Sequence, residues 1–383
     1  MIKVALMPQF FGWAGGLEFL RNISIGLHSV ADKYDLRLVI ALNHDFLNSP
    51  LYEIFTDYFQ QITFSRDIIY YDAVTTDLAV RLQENSVSVV VAVNGDLGAT
   101  FPVPWISYIP DFQHKYFHHL FTEHECFSRE TAFAARLRDC KAMLVNAQAV
   151  KQDLQIFYPW INSKRIFVLP FLPILQPSWL DIEPTNAQRK YQLPKRYFIV
   201  CNQFWVHKDH STAFRALAAL KDTNVHLLCT GTLEDYRNSL YQQELKTLLD
   251  ELKITERVHF LGHIPKLDQI SLLKGAQALV QPTLFEGGAG GGATYDAVAV
   301  GVPVLLSDIA VNKEISIPHV QFFVAGDARH LAVLMEQLLR CPCSRLARSE
   351  LLQQMHENQQ RLGGALYKSI KYTLDVYAQL NEG

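Results

Sequence analysis

The sequence predicts an α/β protein of two doubly wound domains, each a parallel sheet with helices on both faces. Three observations predict it. Short β-branched or aliphatic runs alternate with helical patterns along most of the chain. The alternation breaks once, in a proline-bearing stretch near the middle, and then resumes. Glycine-containing turns stand between a strand and a helix in both halves, at the strand ends where doubly wound sheets take ligands. A length of 383 residues suits two domains, each able to bury its own core.

In the first half, 3–10, 36–42, 87–93, 105–109, 142–146 and 165–169 read as strands. Helical segments lie between them, such as 17–30 with apolar Leu17, Leu20, Ile23, Ile25 and Leu27. The stretch 171–184 has three prolines and no period, and reads as the linker. Beyond it, strands are expected at 197–202, 226–231, 258–261, 278–281, 302–307 and 319–324, with helices at 211–220, 241–252, 267–275 and 294–300. A last helix at 366–380 is expected to pack back on the first domain. The boundaries follow as 1–175, 176–364 and 365–383, with the strand ends of the two domains facing across a central cleft.

Composition removes several functions. A net charge of −3 gives no basic footprint for nucleic acid. No apolar run approaches the roughly 18 residues that span a bilayer. Residues 1–8 read as a first strand rather than a signal peptide. The six cysteines are scattered, which favours reduced thiols and a cytoplasmic setting over a disulfide frame. Cys341 and Cys343 are too few for a metal site, and the spacing of His114, His118, His119 and His124 converges on no zinc pattern. No metal and no cofactor are expected.

The densest signal is a carboxylate followed by a glycine loop and a helix: Glu286, Gly287, Gly288, Ala289, Gly290, Gly291, Gly292, Ala293, Thr294, with a second acid at Asp296. Glycines let a ligand approach the backbone, and a helix N-terminus offers N–H groups to an anion. The flanking acids suit sugar hydroxyls, so one loop presents phosphate donors and hydroxyl acceptors together. The blander alternative is a glycine-rich surface turn. Near the start of the second domain, Asn202, Gln203 and Lys208 follow a strand, and Lys208 is the natural counter-charge for a phosphate. In the first domain, Gly15 and Gly16 stand between strand one and helix one, and Asp111 and His114 follow another strand end, where they can reach a cleft together.

These pieces, in this order, resemble the retaining glycosyltransferases of family 4, the glycosyl transferases group 1, which have the GT-B fold. The resemblance spans nearly the whole chain and is most specific over 279–309. The family signature is two glutamates separated by seven residues. Glu286 matches the first, which contacts the transferred sugar. Asp296 stands for the second, which holds the ribose, after two extra loop residues. Lys208 resembles the diphosphate-binding lysine, while Gln203 replaces its usual arginine companion. Pro110 stands where the family has a histidine, leaving Asp111 and His114 as substitutes. Gly15 and Gly16 match the loop that admits diphosphate and acceptor, and the segment to His263 and Ile264 resembles the wall around the base.

The resemblance implies a retaining, metal-independent hexosyltransferase, with an acceptor-binding first domain and a nucleotide-sugar-binding second domain. It implies catalytic roles for Glu286, Lys208, Asp111 and His114, and a GDP- or UDP-linked sugar as substrate. The acceptor is expected to be a saccharide or lipid-linked saccharide in surface polysaccharide or lipopolysaccharide assembly at the inner face of the membrane. Tyr52, Ile54, Phe55, Tyr58 and Phe59 could form an apolar contact surface there, or pack a helix into the core. Two other readings stay open: a sugar-nucleotide epimerase on the same two-domain plan, and a GT-B scaffold that binds sugar without catalysis.

Overall fold

A computed structural model describes residues 1–9, 14–53, 55–56, 67–74 and 76–382. They form two compact units, Met1–Leu172 with His356–Gly383, and Pro173–Met355. The first change of unit falls inside the expected linker. The return falls at Met355/His356 rather than 364/365.

The first unit carries seven strands: β1 (Ile2–Leu6), β2 (Leu36–Asn43), β3 (Ile68–Tyr71), β4 (Val89–Val93), β5 (Trp105–Tyr108), β6 (Ala142–Val145) and β7 (Ile166–Val168). All pair in parallel in the order β3-β2-β1-β4-β5-β6-β7. A parallel sheet needs cover on both faces, which is why β4 is buried at every position. β3 was not expected, because four residues with two tyrosines show too little alternation to stand out. The strand order reverses between β1 and β4.

The second unit repeats the plan with β8 (Tyr197–Cys201), β9 (His226–Thr230), β10 (Val258–Gly262), β11 (Leu279–Gln281), β12 (Val304–Ser307) and β13 (Val320–Phe323). Their order is β10-β9-β8-β11-β12-β13, again all parallel, with the reversal between β8 and β11. Phe198, Val200, Leu227 and Val280 of the sheet meet Phe214 and Leu217 of the helix His210–Ala219 in one core. The helix Ala328–Arg340, which sequence analysis passed over, buries Leu331, Met335 and Leu338 on one stripe of the same core. Full burial of each such side chain stabilises by about 1.5–3 kcal/mol.

The last helix corrects an expectation. It runs unbroken over Arg348–Glu382, starting well before 366 and passing through Gly363 and Gly364. Glycine weakens a helix interior, but here it permits a close crossing. A Cβ on Gly26, in the helix Ala14–Ser29, would lie 3.2 Å from the Gly363 backbone nitrogen, and one on Gly363 would strike the Gly26 carbonyl. Tyr367 stacks on Tyr34 with ring centroids 3.7 Å apart, and the Tyr377 hydroxyl donates to the Pro102 carbonyl at 2.8 Å.

Of the proposed apolar contact surface, Phe55 is a core residue, packed edge-on to Phe46 with centroids 5.4 Å apart, and Tyr52 stacks beside it. Ile54, Tyr58 and Phe59 lie outside the described residues. Among the described residues no helix is long and apolar enough to cross a membrane.

Candidate functional site

The reversal between β8 and β11 opens the sheet at the carboxyl ends of those strands, where doubly wound folds bind ligands. Four polar side chains form a chain there. Asn202, just past β8, donates through Nδ2 to Gln281 Oε1 at 2.8 Å. Gln281, the last residue of β11, donates through Nε2 to Glu286 Oε1 at 3.2 Å. The same carboxylate oxygen accepts from Lys208 Nζ at 2.5 Å. Gln281 is the member that sequence analysis missed. Its signal was a polar residue closing an otherwise apolar buried strand.

Backbone lacing delivers Lys208 to Glu286. Lys208 ends the short 3-10 turn Val206–Lys208, and the next residue, Asp209, turns into the left-handed region (φ 47°). Asp209 then caps the helix His210–Ala219, accepting from the Thr212 N–H. On the other side, the Leu284 N–H donates to the His207 carbonyl at 2.8 Å, as does the Thr283 hydroxyl at 3.3 Å. His207 and His210 are both buried. Burial first, and the Lys208 charge second, pull their pKa values down to about 2 and about 3. Both rings therefore stay neutral, and the positive charge at this turn belongs to Lys208.

The glycine loop differs from expectation in where its helix starts. Residues Gly291–Ala299 are helical, so the start is Gly291 and not Thr294. Gly290 and Gly291 both have positive φ (72° and 65°), which brings the chain into the helix three residues early. The Gly290 N–H donates to Asn312 Oδ1 at 2.7 Å, and Asn312 Nδ2 donates to the Ser307 carbonyl at 2.9 Å. Asn312 is a second residue that sequence analysis missed. Thr294 is buried, its hydroxyl donating back to the Gly290 carbonyl at 2.6 Å. Ala289, Gly290 and Ala293 are buried too, Gly287, Gly288 and Gly291 are half-buried, and Gly292 is exposed.

Gly291 backs onto the acid. A Cβ there would sit 3.1 Å from both Gln281 Nε2 and Glu286 Oε1. The first helical turn, whose N–H groups have no partners within the helix and carry the positive end of its dipole, thus adjoins the Lys208–Glu286 pair.

Asp296 lies in the second turn, buried, with Lys266 Nζ at 2.6 Å and Gln269 Nε2 at 3.4 Å from its Oδ2. Lys266 also sits over the Trp179 ring, 5.6 Å from its centroid. This partner was not anticipated. Gln203 is exposed beyond Asn202. His263 is exposed and Ile264 buried, just after β10 ends at Gly262 with φ 66°.

In the first unit, Gly15 and Gly16 form the first turn of the helix Ala14–Ser29. Asp111 and His114 engage different partners on one helix, Glu123–Asp139. Asp111 Oδ1 accepts from Arg129 Nη2 at 2.9 Å, whereas His114 Nε2 meets Glu130 Oε1 at 2.5 Å. His114 is 2% exposed, wedged among Phe112, Phe121 and Phe133, so it is a core group rather than an open one. Burial holds its pKa below the ordinary value against the opposing pull of Glu130. Among the described residues no group of three or more His, Cys, Asp or Glu could hold a metal ion.

Comparison with known proteins agrees with this architecture. The family model of the glycosyl transferases group 1 matches residues 181–362. The O-antigen chain mannosyltransferase RfbU of Salmonella typhimurium is 26% identical over 180 residues, 47% of this chain and 45% of that protein. The chain therefore matches less than half the length of this curated relative. The crystal structure of Anabaena Alr3699/HepE, in complex with UDP and glucose, superposes with a TM-score of 0.63 over 100% of both chains at 15% identity. Sucrose-phosphate synthase from Thermosynechococcus elongatus does so with a TM-score of 0.61, again over 100% of both chains, at 14% identity. With the matched segment filling most of the second unit, this chain has the GT-B fold, and its residues 181–362 are similar to the glycosyl transferases group 1.

Proposed function

We propose that the protein is a retaining, metal-independent hexosyltransferase that uses a nucleoside diphosphate sugar, GDP- or UDP-linked, and glycosylates a saccharide or lipid-linked saccharide hydroxyl. The observation that carries this reading is the Lys208–Glu286 pair beside the first turn of Gly291–Ala299, at the strand-order reversal of the second sheet. A cation, helix N–H groups and a sugar-facing carboxylate meet within one loop cluster, and these are the groups a diphosphate sugar needs.

In the reaction, the bond from the anomeric carbon to the diphosphate oxygen breaks and the acceptor oxygen bonds to that carbon. The acceptor proton passes to the departing phosphate oxygen, so no separate nucleophile is required. Negative charge grows on the leaving diphosphate. Lys208 and the N–H groups at Gly291–Ala293 stabilise it, and fixed donors of this kind act more strongly in the transition state than in the ground state. Glu286 relinquishes Lys208 to the diphosphate and turns to the sugar hydroxyls. Asn202 and Gln281 hold the carboxylate in place from behind. Asp296 and the stretch to Ile264 are assigned to the nucleoside.

The O-antigen chain mannosyltransferase and the UDP-bound protein support a sugar-nucleotide donor and a role in polysaccharide assembly. The test is turnover of GDP- and UDP-sugars by the full chain, with and without saccharide acceptors. Transfer with retained anomeric configuration is expected. Donor consumption independent of acceptor would instead indicate an epimerase or hydrolase. Binding with no turnover would indicate a scaffold.

A further inference from the structure

The first sheet has its own strand-order reversal, between β1 and β4, and a polar cluster stands there that the donor site does not use. β4 is wholly buried, yet Ala92 within it has φ 61°, and the β4–β5 register shifts between Val90 and Val93. Only glycine takes that conformation freely, so the strand is held in a strained bulge, a device that re-aims the residues after it. Those residues are Asn94 and Gly95.

The bulge brings oxygens onto one guanidinium. Arg136 Nη1 donates to the Asn94 carbonyl at 2.9 Å, the Asn94 side-chain oxygen at 3.3 Å and the Tyr108 carbonyl at 3.0 Å. Its Nε donates to the Ala132 carbonyl at 3.2 Å. Arg136 is 4% exposed, and none of these acceptors is a carboxylate. Burial brings its pKa down to about 10, with the Arg129 charge adding to the shift and the Asp96 charge opposing it. Arg129 is itself paired with Asp111, and Asp96 is exposed with one oxygen on the Gly98 N–H. Asp96 acts on Arg136 as a nearby charge but makes no hydrogen bond to it among the described residues, and the Phe133 ring lies 4.8 Å from the guanidinium carbon. A buried cation without a directly bonded anion is costly to keep. Its Nη2 has no hydrogen-bond partner among the described residues.

A second donor stands beside it. Gln9, three residues past β1, accepts from the Asn94 and Gly95 N–H groups through Oε1, at 2.8 and 3.1 Å. Those two bonds fix which end of the carboxamide is which and leave Nε2 with no partner among the described residues. Gln9, Asn94 and Gly95 are all partly exposed.

The geometry points to an oxyanion-binding site at the carboxyl ends of β1 and β4, where Arg136 Nη2 and Gln9 Nε2 hold a phosphoryl or carboxylate group of the acceptor. The word acceptor rests on the transferase reading; the oxyanion site itself does not. A guanidinium and a carboxamide N–H together match two oxygens of one such group.

The test titrates inorganic pyrophosphate and, separately, glucuronate into the full chain bearing Lys208→Ala, which removes the cation of the second unit. Arg136→Lys and Gln9→Glu are then added singly, with the fold checked by circular dichroism. Gln9→Glu keeps the oxygen that takes both backbone N–H groups, and replaces the donor with a charged oxygen that repels an oxyanion. Binding of one oxyanion is expected, weakened roughly tenfold or more by each substitution. Pyrophosphate preference assigns a phosphoryl acceptor and glucuronate preference an acidic sugar. Affinity unchanged by both substitutions, or no binding of either oxyanion, overturns the site. UDP and GDP binding to the wild-type chain is read in parallel. Its absence would count against the transferase reading alone.

Discussion

Lys208 and Glu286, 78 positions apart in sequence, form an ion pair of 2.5 Å whose side chains are 14% and 10% exposed. Each neutralises the other until a ligand separates them. In the proposed reaction, a diphosphate would exchange one anion for another at Lys208 and free Glu286 as the sugar arrives. Replacing Glu286 by Gln keeps the oxygen that accepts from Gln281 but removes the competing charge. Donor turnover is expected to fall about a hundredfold, while UDP or GDP affinity stays equal or rises. Steady-state kinetics alongside calorimetric titration separates the two effects. A parallel loss of nucleotide affinity would show that Glu286 does not compete for Lys208.

The two glycines that open the helix, Gly291 and Gly292, should respond differently. Gly291→Ala meets both a positive φ and the Glu286 carboxylate, and is expected to cost about 1–3 kcal/mol of stability. Gly292 is exposed, with nothing within 4 Å of a new Cβ. Gly292→Ala should leave the melting temperature equal or slightly higher and weaken nucleotide binding, because the methyl group would stand where the proposed diphosphate approaches. Denaturant unfolding and ligand titration of both variants check this.

Acid should destabilise the protein through two histidines. His207 and His210 have folded-state pKa values of about 2 and about 3, below the ordinary 6.5, so the unfolded chain binds more protons. Their stabilising effect is complete above about pH 6.5. It is lost progressively as pH falls below that value toward the folded pKa values. Both ring nitrogens of His210 lack hydrogen-bond partners among the described residues, and the ring stacks on Phe204 with centroids 3.9 Å apart. His210→Phe is therefore expected to fold and to flatten the decline in unfolding midpoint between pH 7 and pH 5. An unchanged slope would remove His210 from the explanation.

Asp296 and Lys266 make a second testable pair. Lys266→Met leaves a buried carboxylate without its cation and should cost about 1–3 kcal/mol. Adding Asp296→Asn should restore most of that loss, a coupling that a double-mutant cycle measures directly.

Much of the fold was legible because buried parallel strands such as Val89–Val93 are unbroken apolar runs bounded by turn residues. β3 was not, since four residues against β2 give no pattern of their own. The last helix was misjudged at Gly363, where tertiary contact with Gly26 overrides propensity. In the site, Glu286 and Lys208 could be named separately, but their direct pairing could not. The partners of Asp296, His114 and Gly290, namely Lys266, Glu130 and Asn312, are choices made by tertiary packing between distant segments. No local spacing announces them.

The central claim is that the second unit holds the diphosphate of a sugar nucleotide at Lys208 and the start of Gly291–Ala299. Calorimetric titration of UDP and GDP into the full chain, wild type and Lys208→Ala, tests it most directly. One nucleotide should bind the wild type, and the substitution should weaken it about a hundredfold with the fold intact. Affinities within about twofold of each other, or no binding of either nucleotide to the wild type, would contradict the claim.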